Sequence, residues 1–256
     1  MIMKHILITV IMVLMLAVPY SKSYADESKT TPSLTTSTLK GNKNVETRNI
    51  WVQDFTKIKI MVDAEVSYSQ VEEGVNLSMT LDDNLFDAFE ITVDVNTLII
   101  RAKDKYKTTK IQPTKFVINI SSDNLEMISN ATSARFEIQT EISVKELKIE
   151  NLGSGRVCSM KSFDVQELEV ENTGSGTITL VGKADEAKVL LMGSGKINME
   201  NCAVKDCSCE NSGSGDIYVY AVDFLNCQVF GKGNVYYMGK PEIKKDVVGT
   251  GRLIRR

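Results

Sequence analysis

Histidine is almost absent from this chain: the one copy, His5, lies inside an N-terminal stretch that reads as a secretory signal. The exported remainder then has no imidazole at all. That excludes Ser-His-Asp and Cys-His catalysis, histidine-ligated zinc and any histidine-based pH switch. Beyond the first 25 residues no apolar run approaches the length needed to span a bilayer. No cysteine precedes Cys158, so a lipid anchor on a processed N-terminal cysteine is not expected. Nor is there an excess of positive charge. Losing Lys4 and Lys22 with residues 1–25 takes the 30 basic residues to 28 against 33 acidic ones, a net charge of −5. This argues against nucleic acid or an anionic membrane as the main partner.

The signal itself has three parts. Lys4 supplies the positive start, Ile6 to Val18 is an apolar run, and Ser23-Tyr24-Ala25 places small residues where a signal peptidase reads them. Export to the periplasm, cell surface or exterior follows. Residues 26–47 are rich in Ser, Thr, Lys and Asn, cannot bury a core, and read as a flexible polar tether. The chain beyond has length enough for one elongated domain or two compact ones.

From Arg48 the pattern is that of strands. Ile58–Val62, Val75–Met79, Ile91–Val95, Leu98–Ile100 and Phe116–Ile120 alternate or run apolar, punctuated by Gly74, Asp82-Asp83-Asn84 and Asn96. No stretch keeps a helical period for three turns, so the expected class is all-β.

The second half carries a ladder of Gly-x-Gly tripeptides. They start at Gly153, Gly174, Gly193, Gly213, Gly231 and Gly249, in steps of 21, 19, 20, 18 and 18 residues. A fixed period of this size marks stacked repeats. Six places before each first glycine stand Leu147, Leu168, Ala187, Cys207, Leu225 and Ile243; four places before stand Ile149, Val170, Val189, Cys209 and Cys227. These share one parity, as an inward strand face requires. Two places after each second glycine come Val157, Ile178, Ile197, Ile217, Val235 and Leu253. Glycine at the corner is expected for two reasons together: a sharp turn there needs positive φ, and any Cβ would also meet the next rung. Asn130, Asn151, Asn172 and Asn211 occupy one place near the corner and suggest a partial amide ladder from rung to rung.

The expected architecture is a single-stranded, right-handed parallel β-helix of about seven coils over 125–256, its hand taken from the crossover rule. An irregular β region, 48–124, is expected to cap it. The Gly-Ser-Gly turns, Gly195-Lys196-Ile197-Asn198 and Phe55-Thr56-Lys57-Ile58-Lys59-Ile60 resemble the head GIN domain family of putative auto-transporter adhesins, common in exported proteins of Bacteroidetes and without an assigned function. The resemblance covers roughly 48–251. It implies a β-helical fold and an adhesive role, with no catalytic residues to carry over. The chain stops at Arg256, so no membrane barrel of an autotransporter is expected to follow.

Specific chemistry is weakly signalled. The glycine turns lack the following helix that a phosphate cradle needs. Only Gly213-Ser214-Gly215-Asp216 comes near a calcium-roll repeat. Glu150 and Glu171 fall one rung apart, and Lys148, Glu169 and Lys188 beside them suggest a salt ladder rather than bound Ca²⁺. Asp164 and Asp185 are expected at an outer turn, where turn formation explains them better than catalysis. Cys209 and Cys227 share an inward place on adjacent rungs; free buried thiols suit them better than a disulfide between side chains that point the same way. No catalytic, cofactor or metal residue is assigned. The sequence supports a non-enzymatic exported adhesin or envelope-binding protein, a monomer or small oligomer whose ligand is a glycan or envelope protein. The alternative is a glycan-binding or polysaccharide-processing β-helix, which a cleft with exposed Tyr218, Tyr220, Tyr236 and Tyr237 would favour.

Overall fold

The computed structural model describes residues 37–256. The expected signal and residues 26–36 of the expected tether lie outside them. In chain order the first half contributes β1 (Thr38–Lys40), β2 (Val45–Asn49), β3 (Lys57–Met61), β4 (Glu65–Gln70), β5 (Asn76–Asp82), β6 (Phe89–Asp94), β7 (Thr97–Ala102), β8 (Lys110–Gln112) and β9 (Val117–Ser122). The repeats contribute β10 (Met127–Asn130), β11 (Arg135–Ile138), β12 (Ile142–Asn151), β13 (Arg156–Ser159), β14 (Phe163–Asn172), β15 (Thr177–Leu191), β16 (Lys196–Asn211), β17 (Asp216–Val229), β18 (Val235–Met238), β19 (Glu242–Val247) and β20 (Leu253–Arg255). Eighteen of them belong to one continuous sheet, wound as a β-solenoid of about six turns.

Each repeat pairs in parallel and in register with the next. Leu147, Leu168, Ala187, Cys207 and Leu225 form one inward column, continued in register by the exposed Ile243, and Ile149, Val170, Val189, Cys209 and Cys227 form the one beside it. The second column is at most 1% exposed throughout. Burying each such aliphatic side chain is worth about 1.5–3 kcal/mol. The last rung breaks the pattern by placing Lys245 above Cys227.

The corner glycines owe their place to packing between rungs. The glycines with positive φ are Gly74, Gly182 and Gly239, so the torsional reason does not apply at Gly153 to Gly251. A Cβ on Gly174 or Gly193 would fall on the carbonyl oxygen of the first corner glycine one rung below. The rungs are closest there because the N–H of each second glycine bonds that same carbonyl: Gly176 to Gly153 and Gly195 to Gly174, both at 3.2 Å. The asparagines brace the corner from inside. Nδ2 of Asn130, Asn151, Asn172 and Asn211 donates to the carbonyl four residues on, at 2.9, 3.0, 2.9 and 2.9 Å. The expected amide ladder reduces to one link, Asn130 Nδ2 to Asn151 Oδ1 at 3.1 Å. Satisfying a buried carbonyl within the turn is the commoner service.

The stack does not begin at residue 125. β3 and β4 already form a rung, parallel to β10 and β11 on one side and to β7 and β9 on the other. The antiparallel strands are the true end: β6 lies against β7, β5 against β9, and β2 against β5. The expected tether is accordingly shorter, since β1 pairs with β8 and β2 with β5. Asp82 pins this cap. Fully buried, its carboxylate accepts from the main-chain N–H of Lys43 and of Thr114, both at 2.6 Å, and from the Thr114 hydroxyl at 2.8 Å. Burial alone would raise its pKa, but these donors together hold the carboxyl below its ordinary range.

Candidate functional site

Strand alternation sends Glu146, Lys148 and Glu150 outward from β12 while Leu147, Ile149 and Asn151 point in. Register repeats that outward set up the stack. Glu146, Glu167, Glu186 and Asp206 form an acidic column, with Lys148, Glu169, Lys188 and Ser208 beside it. Lys148 Nζ lies 3.0 Å from Glu150 and 3.2 Å from Glu169, and its hydrogen bond to Glu150 is the chief reason its pKa rises. The expected salt ladder is therefore one lysine shared by two carboxylates; Lys188 joins no ion pair among the described residues. An open groove of about 850 Å³ crosses this face.

The other candidate residues are occupied with structural work. Asp164 and Asp185 sit within the long strands β14 and β15, not at a turn, and bind Lys183 and Lys205 at 2.7 and 2.5 Å. Asp216 accepts from the main chain of Asn234 at 2.8 Å. The five cysteines are free and buried. Cys207 and Cys209 have their sulfurs 3.4 Å apart, and burial pushes the Cys202 and Cys227 thiols up to about 12. Among the described residues, no three His, Cys, Asp or Glu side chains converge to hold a metal ion.

Of the four candidate tyrosines, only Tyr220 is left exposed without a ring partner. Tyr218 stacks on Tyr236 with centroids 4.7 Å apart and planes 13° apart, and Lys196 Nζ sits 4.2 Å from the Tyr218 centroid. Tyr237 packs against the core, and Tyr220 is 37% exposed.

A second groove, of about 980 Å³, opens near the capped end over β4, β9 and β5. Its floor is Ser67, Ser69, Asn76, Ser78, Asn119 and Ser121, and Trp51 lines it at 84% exposure. Sequence reasoning passed over this place. The available signal was that the chain's only tryptophan stands between Asn49 and Asp54, outside the strands the pattern marks.

The sequence model of one family, described as putative auto-transporter adhesin, head GIN domain, matches residues 54–241. Among solved structures, a putative lipid binding protein from Parabacteroides distasonis ATCC 8503 is 28% identical, with a TM-score of 0.72 over 86% of this chain and 99% of that one. A putative adhesin from Bacteroides fragilis NCTC 9343 is 26% identical, with a TM-score of 0.79 over 85% of this chain and all of its own. Another, from Parabacteroides merdae ATCC 43184, is 25% identical, with a TM-score of 0.68 over 86% of this chain and all of its own. No curated protein matches.

Proposed function

Because the chain belongs to the head GIN domain family of putative auto-transporter adhesins, we propose that it is an exported, non-enzymatic adhesin that binds an envelope or surface partner through its exposed sheet faces. The observation that carries this reading is the in-register outward column Glu146, Glu167, Glu186 and Asp206 with its neighbouring lysines. Such a face repeats its charges at about 4.8 Å, the rung spacing. It suits an extended partner held by many modest contacts, whose strengths compound. Two of the structural neighbours are named as adhesins, and adhesion requires export, in keeping with the signal-like N-terminus. One neighbour is named for lipid. Here the groove over the repeats combines Lys148, Glu167, Glu169 and Lys188 with apolar residues such as Val144 and Phe224, and the charges along it favour a polar partner over an acyl chain alone. The protein acts as a monomer or small oligomer.

The test is adhesion of chain-coated beads to isolated bacterial envelopes across a salt series. Reversing Glu167 and Glu186 to Lys should weaken capture, and the weakening should fade as salt screens the face. Capture that ignores both the substitutions and salt would sink the reading.

A further inference from the structure

The groove beside Trp51 is almost without charge, unlike the groove over the repeats. A quarter of the chain is Asp, Glu, Lys or Arg, yet Asp54 is the one charged residue that lines it. Its floor is built by register. Ser67, Asn119 and Ser78 stand in one row across β4, β9 and β5, and Ser69, Ser121 and Asn76 in the next. The first row is ordered by its own bonds: the Ser67 hydroxyl donates to Asn119 Oδ1 at 2.7 Å, and Asn119 Nδ2 donates to Ser78 Oγ at 3.2 Å. The second row makes no side-chain hydrogen bond among the described residues, so its hydroxyls and amide are available to a ligand. Trp51 lines the same groove and is 84% exposed, so its indole is available to a ligand.

Hydroxyls and primary amides both donate and accept. A flat aromatic ring presents an apolar face of fixed shape. A pyranose needs both kinds of partner at once, because its rim carries hydroxyls that donate and accept while its face carries C–H groups. The lack of charge selects a neutral sugar. A protein partner fits less well, because an interface anchored by tryptophan excludes water around it, and this floor is hydrophilic. We propose that this groove binds a neutral saccharide, with Trp51 stacking on a sugar ring and the two polar rows ordering its hydroxyls. The volume admits a short oligosaccharide. The inference goes beyond the adhesive reading and stands without it, since that reading concerns the charged face of the repeats.

The chain reports on this site unaided, because Trp51 is its only tryptophan. Titration of the purified chain with cellohexaose, mannohexaose and hexa-N-acetylchitohexaose, with hexagalacturonate as the charged control, is followed by tryptophan emission and by protection from acrylamide quenching. At least one neutral hexasaccharide should shift the emission and shield the indole, and hexagalacturonate should do neither. By calorimetry, Trp51→Ala should weaken binding of that sugar by roughly tenfold or more, about the worth of one aromatic stacking contact. Asn119→Ala should weaken it with Trp51 intact, while Glu167→Lys leaves it unchanged. No shift with any neutral sugar up to millimolar concentration overturns the proposal. Equal binding by Trp51→Ala, or capture of an envelope protein through Trp51 without sugar binding, overturns it too.

Discussion

Replacing Gly193 by alanine asks whether corner glycines serve torsion or spacing. At an ordinary compatible site, Gly→Ala stabilises a protein by about 0.4–1 kcal/mol through the unfolded chain. Here the added Cβ would fall on the Gly174 carbonyl oxygen and lie 2.7 Å from that of Thr173, both rigid main chain. Relief requires one rung to move from the other by more than about 1 Å. That movement strains the bond from Gly195 N–H to Gly174 O. Overpacking costs about 1–3 kcal/mol and the weakened hydrogen bond about 1 more. The expected loss is about 3 kcal/mol, a large part of a typical total stability of about 5–15 kcal/mol. Gly74→Ala is the counterpart: φ there is +81° and nothing lies within 4 Å of the added Cβ, so only the torsional penalty of about 1–2 kcal/mol applies. Ser194→Ala, at an exposed corner position, should stay within about 0.5 kcal/mol. Urea unfolding followed by circular dichroism ranks the three at constant m-value. If Gly193→Ala costs no more than Gly74→Ala, the rungs are not held apart as argued.

Two further predictions concern the two ends. Asp82 has a folded pKa below its unfolded value of about 3.9, so its contribution is complete above that value and lost as pH falls through the folded one. Asp82→Asn should therefore lower stability at neutral pH and flatten the acid limb between these values; an unchanged urea midpoint across that range would refute the role. At the other end, Lys245 places an exposed charge at the register position where every earlier rung from β12 on has an apolar residue or a thiol, a charge of the kind that blunts an edge strand. Lys245→Val should raise the mass seen by light scattering as concentration increases. Changing Arg252, Arg255 and Arg256 to Ser should do less, since Arg255 is tied to the Gly239 carbonyl and Arg256 to Glu200. Association by the arginine variant alone would transfer the guard to the tail.

The repeats were legible because two local rules repeat in them: alternation, and a corner that excludes Cβ. Even there, the reason for glycine was only half visible, since sequence cannot separate a torsional need from a neighbour one rung away. The rung of β3 and β4 was hidden because β4 offers just Val66 and Tyr68 as inward residues and no glycine corner. β1 and β2 were hidden for another reason. Thr38–Lys40 and Val45–Asn49 are polar and hold their places through main-chain pairing with partners far along the chain. The polar floor beside Trp51 draws on three strands far apart in sequence, so no linear motif announces it.

The placement of the β3–β4 rung bears on how such a protein is assembled and how it changes in length. That rung comes first among the rungs along the chain, yet the finished stack has neighbours on both sides of it, β10 and β11 above and β7 and β9 below. It is a two-sided template. One side is closed by antiparallel strands within the next stretch of chain, and the other is free to accept coils one after another. Since repeat stability is carried by nearest neighbours, a whole coil between two corners can be gained or lost in evolution at the growing side. Loss of 57–122 as a whole removes both the template and the stop. Length in this architecture is adjustable from one end only.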